Sequence, residues 1–258
     1  MVTQKASYIM CSDSDGTISN TMQEAYEFSI DGYGAVTGIN ARDSITLPVF
    51  KTQIRSKIVH PNEFFPLIEA VYKGVTLDEL GPERIEELKE KGMKEYSRIR
   101  DSYIGDGASE KNIAKYIREF APLAAGTRKM FERMKDFGIG VYITSNKPTK
   151  TLRIIYGENG MLGYIEDILG TEVGGGRRGQ LKMLNEIGYS FGNMGLYDDA
   201  EKNLVIADEL GLKAVFAAKL GIQEGFEDIE NVKHRGKGNI LSPAEVPLAA
   251  AIKFGLVA

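Results

Sequence analysis

Tyr8-Ile9-Met10-Cys11-Ser12-Asp13-Ser14-Asp15-Gly16-Thr17 is the stretch on which the fold and chemistry of this chain turn. Tyr8 to Cys11 form an apolar run suited to a buried strand, and side chains alternate faces along a strand, so Asp13 and Asp15 are expected to point the same way. Two carboxylates in one small volume repel each other, and only one stays ionised unless a cation lies between them. The spacing therefore predicts a hard divalent ion, most naturally Mg²⁺, held by oxygen ligands. Gly16 lets the backbone turn sharply beside the ligand, and Thr17 offers a hydroxyl and an N–H just past the turn.

Outward from this stretch the pattern changes twice. Residues 20 to 120 read as mainly helical, with Ile85, Leu88, Gly92, Tyr96, Ile99 and Tyr103 stepping by three or four along one helix face. Pro82 suits the first turn of that helix, and Glu87 with Lys91 and Glu90 with Lys94 are favourable pairs one turn apart. Thr76 with Glu79 reads as a capping box, and Ile104 to Gly107 as a break. Phe64 and Phe65 are expected in the core of this insertion. Lys51, Arg55 and Lys57 read as a solvated face, and His60 as a solvated or structural imidazole.

From Leu123 onward helices and strands alternate. Helices are expected over 126–137, closed by Gly138, and over 148–157, 181–187 and 201–210, closed by Gly211. Strands are expected over 139–144, 165–171, 194–197 and 213–217. The glycine-rich connection 172–179 lacks the lysine and hydroxyl of a P-loop and reads as a mobile surface loop. Such alternation predicts a doubly wound, Rossmann-like α/β core of parallel strands joined by right-handed crossovers. Residues 1–19 and 120–230 would form that core, 20–119 an inserted helical cap, and 231–258 a C-terminal extension.

Composition agrees with this organisation. The chain has 258 residues, 43% of them hydrophobic and 26% charged, the balance of a soluble globular protein with one or two domains. A formal net charge of -4 provides no long-range attraction to nucleic acid or an anionic membrane, so neither is expected as a partner. The one cysteine, Cys11, excludes an internal disulfide and reads as a small buried hydrophobe. Two histidines, His60 and His234, argue against a histidine-rich zinc centre. With no basic-plus-apolar leader and no apolar run of about 18 residues, the expected location is the cytoplasm.

In open α/β sheets the ligand lies beyond the carboxyl ends of the strands. Three expected strand ends carry polar residues: Asp13 and Asp15, then Ser145-Asn146-Lys147, then Asp198-Asp199 with Asn203 four positions on. Hydroxyl and amide donors in such a place hold phosphate oxygens, and carboxylates complete a metal's shell. Here the chain resembles the haloacid dehalogenase superfamily, in its phosphatase branch with a helical cap after the first strand. Asp13-Ser14-Asp15-Gly16-Thr17 matches that family's D-x-D-G-T motif, Ser145 the hydroxyl ending its second motif, and Asp199 with Asn203 its fourth. The Gly138-to-Pro148 stretch is similar to phosphoglycolate-phosphatase-like members.

The resemblance implies Asp13 as the nucleophile taking the phosphoryl group, Asp15 as general acid and base, and Ser145 as a hydrogen-bond donor to the phosphoryl oxygens. Gly16, Thr17 and Asn146 would complete the phosphate cradle. Mg²⁺ would be bound by Asp13, Asp199 and the main-chain carbonyl of Asp15, with Asn203 steadying Asp199 or a bound water and Asp198 a further ligand or a neighbour of the shell. The family's third motif is a cation; Arg177, Arg178, Lys182 and Lys147 are the candidates, with Lys182 favoured because Leu181-Lys182-Met183-Leu184 opens the expected helix. The implied activity is Mg²⁺-dependent hydrolysis of a small phosphorylated metabolite, with the cap closing over the core. A phosphomutase using the same aspartates is the alternative, and a non-catalytic phosphate-binding protein a lesser one. An acid at Asp15 argues against the dehalogenase branch.

Overall fold

The computed structural model describes residues 6–57, 61–224, 235 and 239–257. Six strands form one sheet: β1 (Tyr8–Ser12), β2 (Ile139–Thr144), β3 (Asp167–Leu169), β4 (Met194–Asp198), β5 (Ala214–Ala218) and β6 (Ile240–Leu241). Their order is β3-β2-β1-β4-β5-β6 and every neighbouring pair is parallel. The chain moves outward from β1 to one edge, then returns to lay β4, β5 and β6 on the other side. The strand order thus reverses at β1 and β4, where sheets of this kind open a ligand crevice.

Period-two alternation distributes the strand side chains between two apolar layers. Met10, Val141, Ile143 and Tyr197 pack with helices Thr127–Asp136, Thr149–Glu158 and Val246–Phe254. Ile9, Cys11, Tyr142 and Leu196 pack on the opposite face, with helices Gly176–Glu186 and Glu201–Glu209. This is the doubly wound α/β class expected from the sequence.

Three segments depart from expectation. β3 is shorter than 165–171, because Thr171–Val173 coil into a 3₁₀ turn. Gly170 permits that turn, since a Cβ there would lie 2.4 Å from the Thr149 nitrogen. The glycine-rich connection is not a surface loop throughout: Gly174, Gly175 and Gly176 all hold positive φ, and the turn they make starts the next helix at Gly176 instead of Leu181. The segment 231–258 is not an appendage either. It supplies β6, paired to β5 through Ala217↔Ile240 and Ala218↔Leu241, and helix Val246–Phe254, whose Val246, Ala250, Ala251 and Phe254 are buried in the core. His60 and residues 231–234 and 236–238 lie outside the described residues.

The chain divides into two compact units. One comprises the described residues up to Asn20, Leu123–Gln223 and the described C-terminal residues; the other comprises Thr21–Pro122 with Glu224. The second unit is helical, built chiefly on Met22–Thr37, Phe64–Lys73 and Pro82–Ile104. Leu88, Gly92 and Tyr96 are buried along the long helix, as its periodicity demands, and a Cβ at Gly92 would lie 2.2 Å from the Phe65 ring. Phe64 and Phe65 are core residues of this unit. The main-chain N–H of Thr76 donates to the Glu79 carboxylate at 2.7 Å, the reciprocal half of the capping box. No helix of the described residues is long and apolar enough to cross a membrane.

Candidate active site

Register assembles the site. Ser12 lies opposite Tyr197 on β4 and Ile143 on β2, so the next residue, Asp13, falls level with Asp198 and Thr144. The Asp13 N–H extends the pairing by donating to the Tyr197 carbonyl at 2.9 Å. Asp13 is two residues beyond Cys11, and Asp198 two beyond Leu196. Both therefore face the layer that holds helix Gly176–Glu186.

That helix brings the cation. Arg177, Leu181 and Leu184 share one helix face, and the two leucines are buried against the sheet. Arg177 follows them inward, its side chain 3% exposed, and its Nη2 lies 2.8 Å from Asp13 Oδ1 and 2.8 Å from Asp198 Oδ2. Nη1 donates to the Thr144 carbonyl and to Gln180 Oε1. Lys182 lies elsewhere: it is exposed on the same helix, one residue past the buried Leu181. The helix begins earlier than expected and its inward face runs through 177, 181 and 184, so Arg177, and not the favoured Lys182, is the residue of this helix that lies beside Asp13 and Asp198. Arg178 turns away and pairs with Glu209.

Asp13 and Asp15 do not share one strand face as the spacing predicts. β1 ends at Ser12, and Asp15 sits in the following turn, where Gly16 has φ of 73° and donates its N–H to the Ser19 carbonyl. Lys147 holds Asp15 through an Nζ–Oδ2 contact of 2.8 Å, and the other carboxylate oxygen, Oδ1, is buried without a hydrogen-bond partner. Ser14, between the two acids, accepts a hydrogen bond from the buried Tyr156 hydroxyl at 2.9 Å.

The carboxylates that do converge are Asp13, Asp198 and Asp199, with one oxygen of each within 4.8 Å of the others. Asp198 is fully buried and heavily bonded: it accepts from the Ala200 N–H at 2.9 Å and from Asn203 Nδ2 at 3.0 and 3.1 Å. Asn203 therefore steadies Asp198, where the expectation is Asp199 or a bound water. The Thr17 hydroxyl reaches toward Asp199 Oδ1 at a long 3.5 Å. Gly221 leaves room for Asp199, since a Cβ there would fall 2.4 Å from Asp199 Cβ and 3.2 Å from the Gly16 carbonyl. Ser145 is buried at the end of β2, its Oγ accepting from the Lys147 N–H at 3.2 Å, while Asn146 is exposed.

Burial raises the pKa of Asp13 above the ordinary carboxylate range; Arg177 opposes the rise, while Asp198 and Asp15 add to it. Arg177 contacts Asp13 and Asp198, Lys147 contacts Asp15, and the other oxygen of Asp15 is buried without a hydrogen-bond partner. Three converging carboxylates, an all-oxygen donor set, suit a hard divalent cation. The residues present fit such an ion.

These features place the chain in the haloacid dehalogenase-like fold, a parallel α/β core with a helical insertion after the first strand. A haloacid dehalogenase-like hydrolase from Streptococcus pneumoniae matches with a TM-score of 0.60 at 15% identity, covering 96% of this chain and 98% of that one. A candidate phosphoglycolate phosphatase from Lactobacillus delbrueckii subsp. bulgaricus matches with a TM-score of 0.67 at 17% identity, over 96% and 99% of the two chains. A candidate beta-phosphoglucomutase from Thermotoga maritima has a TM-score of 0.55 at 13% identity, over 93% and 97%. No protein-family model matches the chain, and no curated protein does.

Proposed function

We propose that this chain is a Mg²⁺-dependent phosphoric monoester hydrolase acting on a small phosphorylated metabolite, in a cytoplasmic setting. The observation that carries the reading is the meeting of Asp13, Asp198 and Asp199 at adjacent strand ends, with Arg177 bridging two of them. Asp13 and Asp199 would hold the ion; Asp198, already bonded to Ala200, Asn203 and Arg177, fixes their surroundings. Bound there, Mg²⁺ would offset the charge gathering on a transferring phosphoryl group.

The residues of the chain supply the rest. Asp13 attacks phosphorus and carries the phosphoryl group as an acyl phosphate. Arg177 Nη2, fixed between Asp13 Oδ1 and Asp198 Oδ2, offsets the charge around the nucleophile, and Ser145 offers a donor to the phosphoryl oxygens. Asp15 gives a proton to the leaving oxygen and then takes one from water, whose oxygen attacks phosphorus, breaks the Asp13 O–P bond and leaves as inorganic phosphate. Its Oδ2 is engaged by Lys147, which leaves the unpartnered Oδ1 as the atom that exchanges the proton.

The test is turnover of p-nitrophenyl phosphate with Mg²⁺ and with a chelator. Hydrolysis in the first case, lost in the second and restored by Mg²⁺, is the expected result. No release of phosphate from any ester, with inorganic phosphate still bound, would instead favour a non-catalytic binding protein. Isomerised sugar phosphate in place of free phosphate would make the chain a mutase.

A further inference from the structure

Gln180 belongs to none of the motifs that mark the site, yet it is 2% exposed and every polar atom of its side chain is engaged there. Its Nε2 donates toward three carbonyls, those of Ser145 at 2.8 Å, Leu169 at 2.9 Å and Gly170 at 3.2 Å. Its Oε1 accepts from Arg177 Nη1 at 3.0 Å. One amide therefore joins the ends of β2 and β3 to the guanidinium that bridges Asp13 and Asp198. Arg177 Nε is buried without a partner, so the orientation of that guanidinium rests on its two Nη groups alone. Gln180 and Arg177 lie three residues apart on one helix face, which is why the contact forms.

We propose that Gln180 is a positioning residue that locks the Arg177 guanidinium against Asp13 and Asp198 and ties it to the Ser145 loop. The inference deepens the phosphoryl-transfer reading and rests on it for its catalytic consequence. No other residue type meets both demands. Glutamate would set a carboxylate against three carbonyl oxygens, asparagine is shorter by a methylene, and methionine keeps the volume while losing the donor and the amide oxygen.

The experiment compares wild type with Gln180→Ala and the volume-preserving Gln180→Met. In ¹⁵N-resolved spectra the wild-type Arg177 Nη groups should rotate slowly and give separate signals; in the variants they should average or broaden. The variants should lose kcat on the order of 10- to 100-fold, with KM changed by less than about threefold. In an Arg177→Lys background the same substitutions should cost less than about threefold more, because the group through which Gln180 acts is gone. Folded variants with wild-type Arg177 signals, or with a lower melting temperature and unchanged kcat, would overturn the proposal and leave Gln180 a tie between strand ends. An inactive wild type would overturn the phosphoryl-transfer reading, and the Arg177 signals would still decide the positioning claim.

Discussion

Asp13→Asn is expected to abolish p-nitrophenyl phosphate turnover, by about 10⁴-fold or more, in a protein that still folds. Asparagine keeps the shape and one carbonyl oxygen but cannot serve as the nucleophile. The substitution has a second consequence. Because burial raises the Asp13 pKa, the folded chain binds a proton there more tightly than the unfolded chain does. Without metal, the wild type therefore loses stability as pH rises from the ordinary carboxyl range of about 4 through the raised value. Asparagine carries no charge, and Arg177 keeps Asp198 as its partner. Asp13→Asn should thus be at least as stable as wild type at about pH 8 in the absence of Mg²⁺, with the difference shrinking in acid. Thermal melting across pH reads this directly, and a variant less stable than wild type in alkali would contradict the assigned electrostatics.

Arg177→Ala should produce the second large effect. Removing a cation that is 3% exposed leaves Asp13 and Asp198 facing each other, and breaking a buried pair in this way costs about 3–5 kcal/mol. Loss of the cation that holds the nucleophilic carboxylate in place should lower kcat by about 10²-fold or more. Arg177→Lys keeps the charge but not the fork that spans two carboxylates, and should fall between. Lys182→Ala, on the exposed side of the same helix, should change stability by less than about 0.5 kcal/mol and leave kcat near wild type. Denaturant melts and steady-state kinetics on the three variants check the assignment; an inactive Lys182→Ala beside an active Arg177→Ala would reverse it.

The contrast between these two residues shows where the sequence is legible. β2 occupies 139–144 as expected, because six apolar or small residues between Gly138 and a polar loop leave one solution. The long helix Pro82–Ile104 announces itself by its apolar step and its proline. Both depend only on neighbours in sequence. Arg177 is among the candidate cations but ranks below Lys182, because three glycines and two arginines in a row read as a loop, which places the helix start too late and loses the register of its face. The spacing Arg177, Leu181, Leu184 was the available signal. Gln180 belongs to no motif, and the carbonyls it donates to lie at the ends of two strands remote in sequence. β6 is two residues long and pairs with the edge of β5, too short a run to stand out in the sequence. Asn203 pairs with Asp198 and not Asp199 through the side-chain geometry at the end of β4, which motif spacing does not encode.

The most direct test of the account is chemical trapping of the acyl phosphate. Enzyme quenched during turnover of p-nitrophenyl phosphate with Mg²⁺ is treated with borohydride, which reduces an aspartyl phosphate to homoserine, and the peptides are sequenced by mass spectrometry. Homoserine at position 13, absent without substrate and absent in Asp13→Asn, is the predicted result. Turnover that proceeds with Asp13 unmodified, or with the label on Asp15, Asp198 or Asp199, would contradict it.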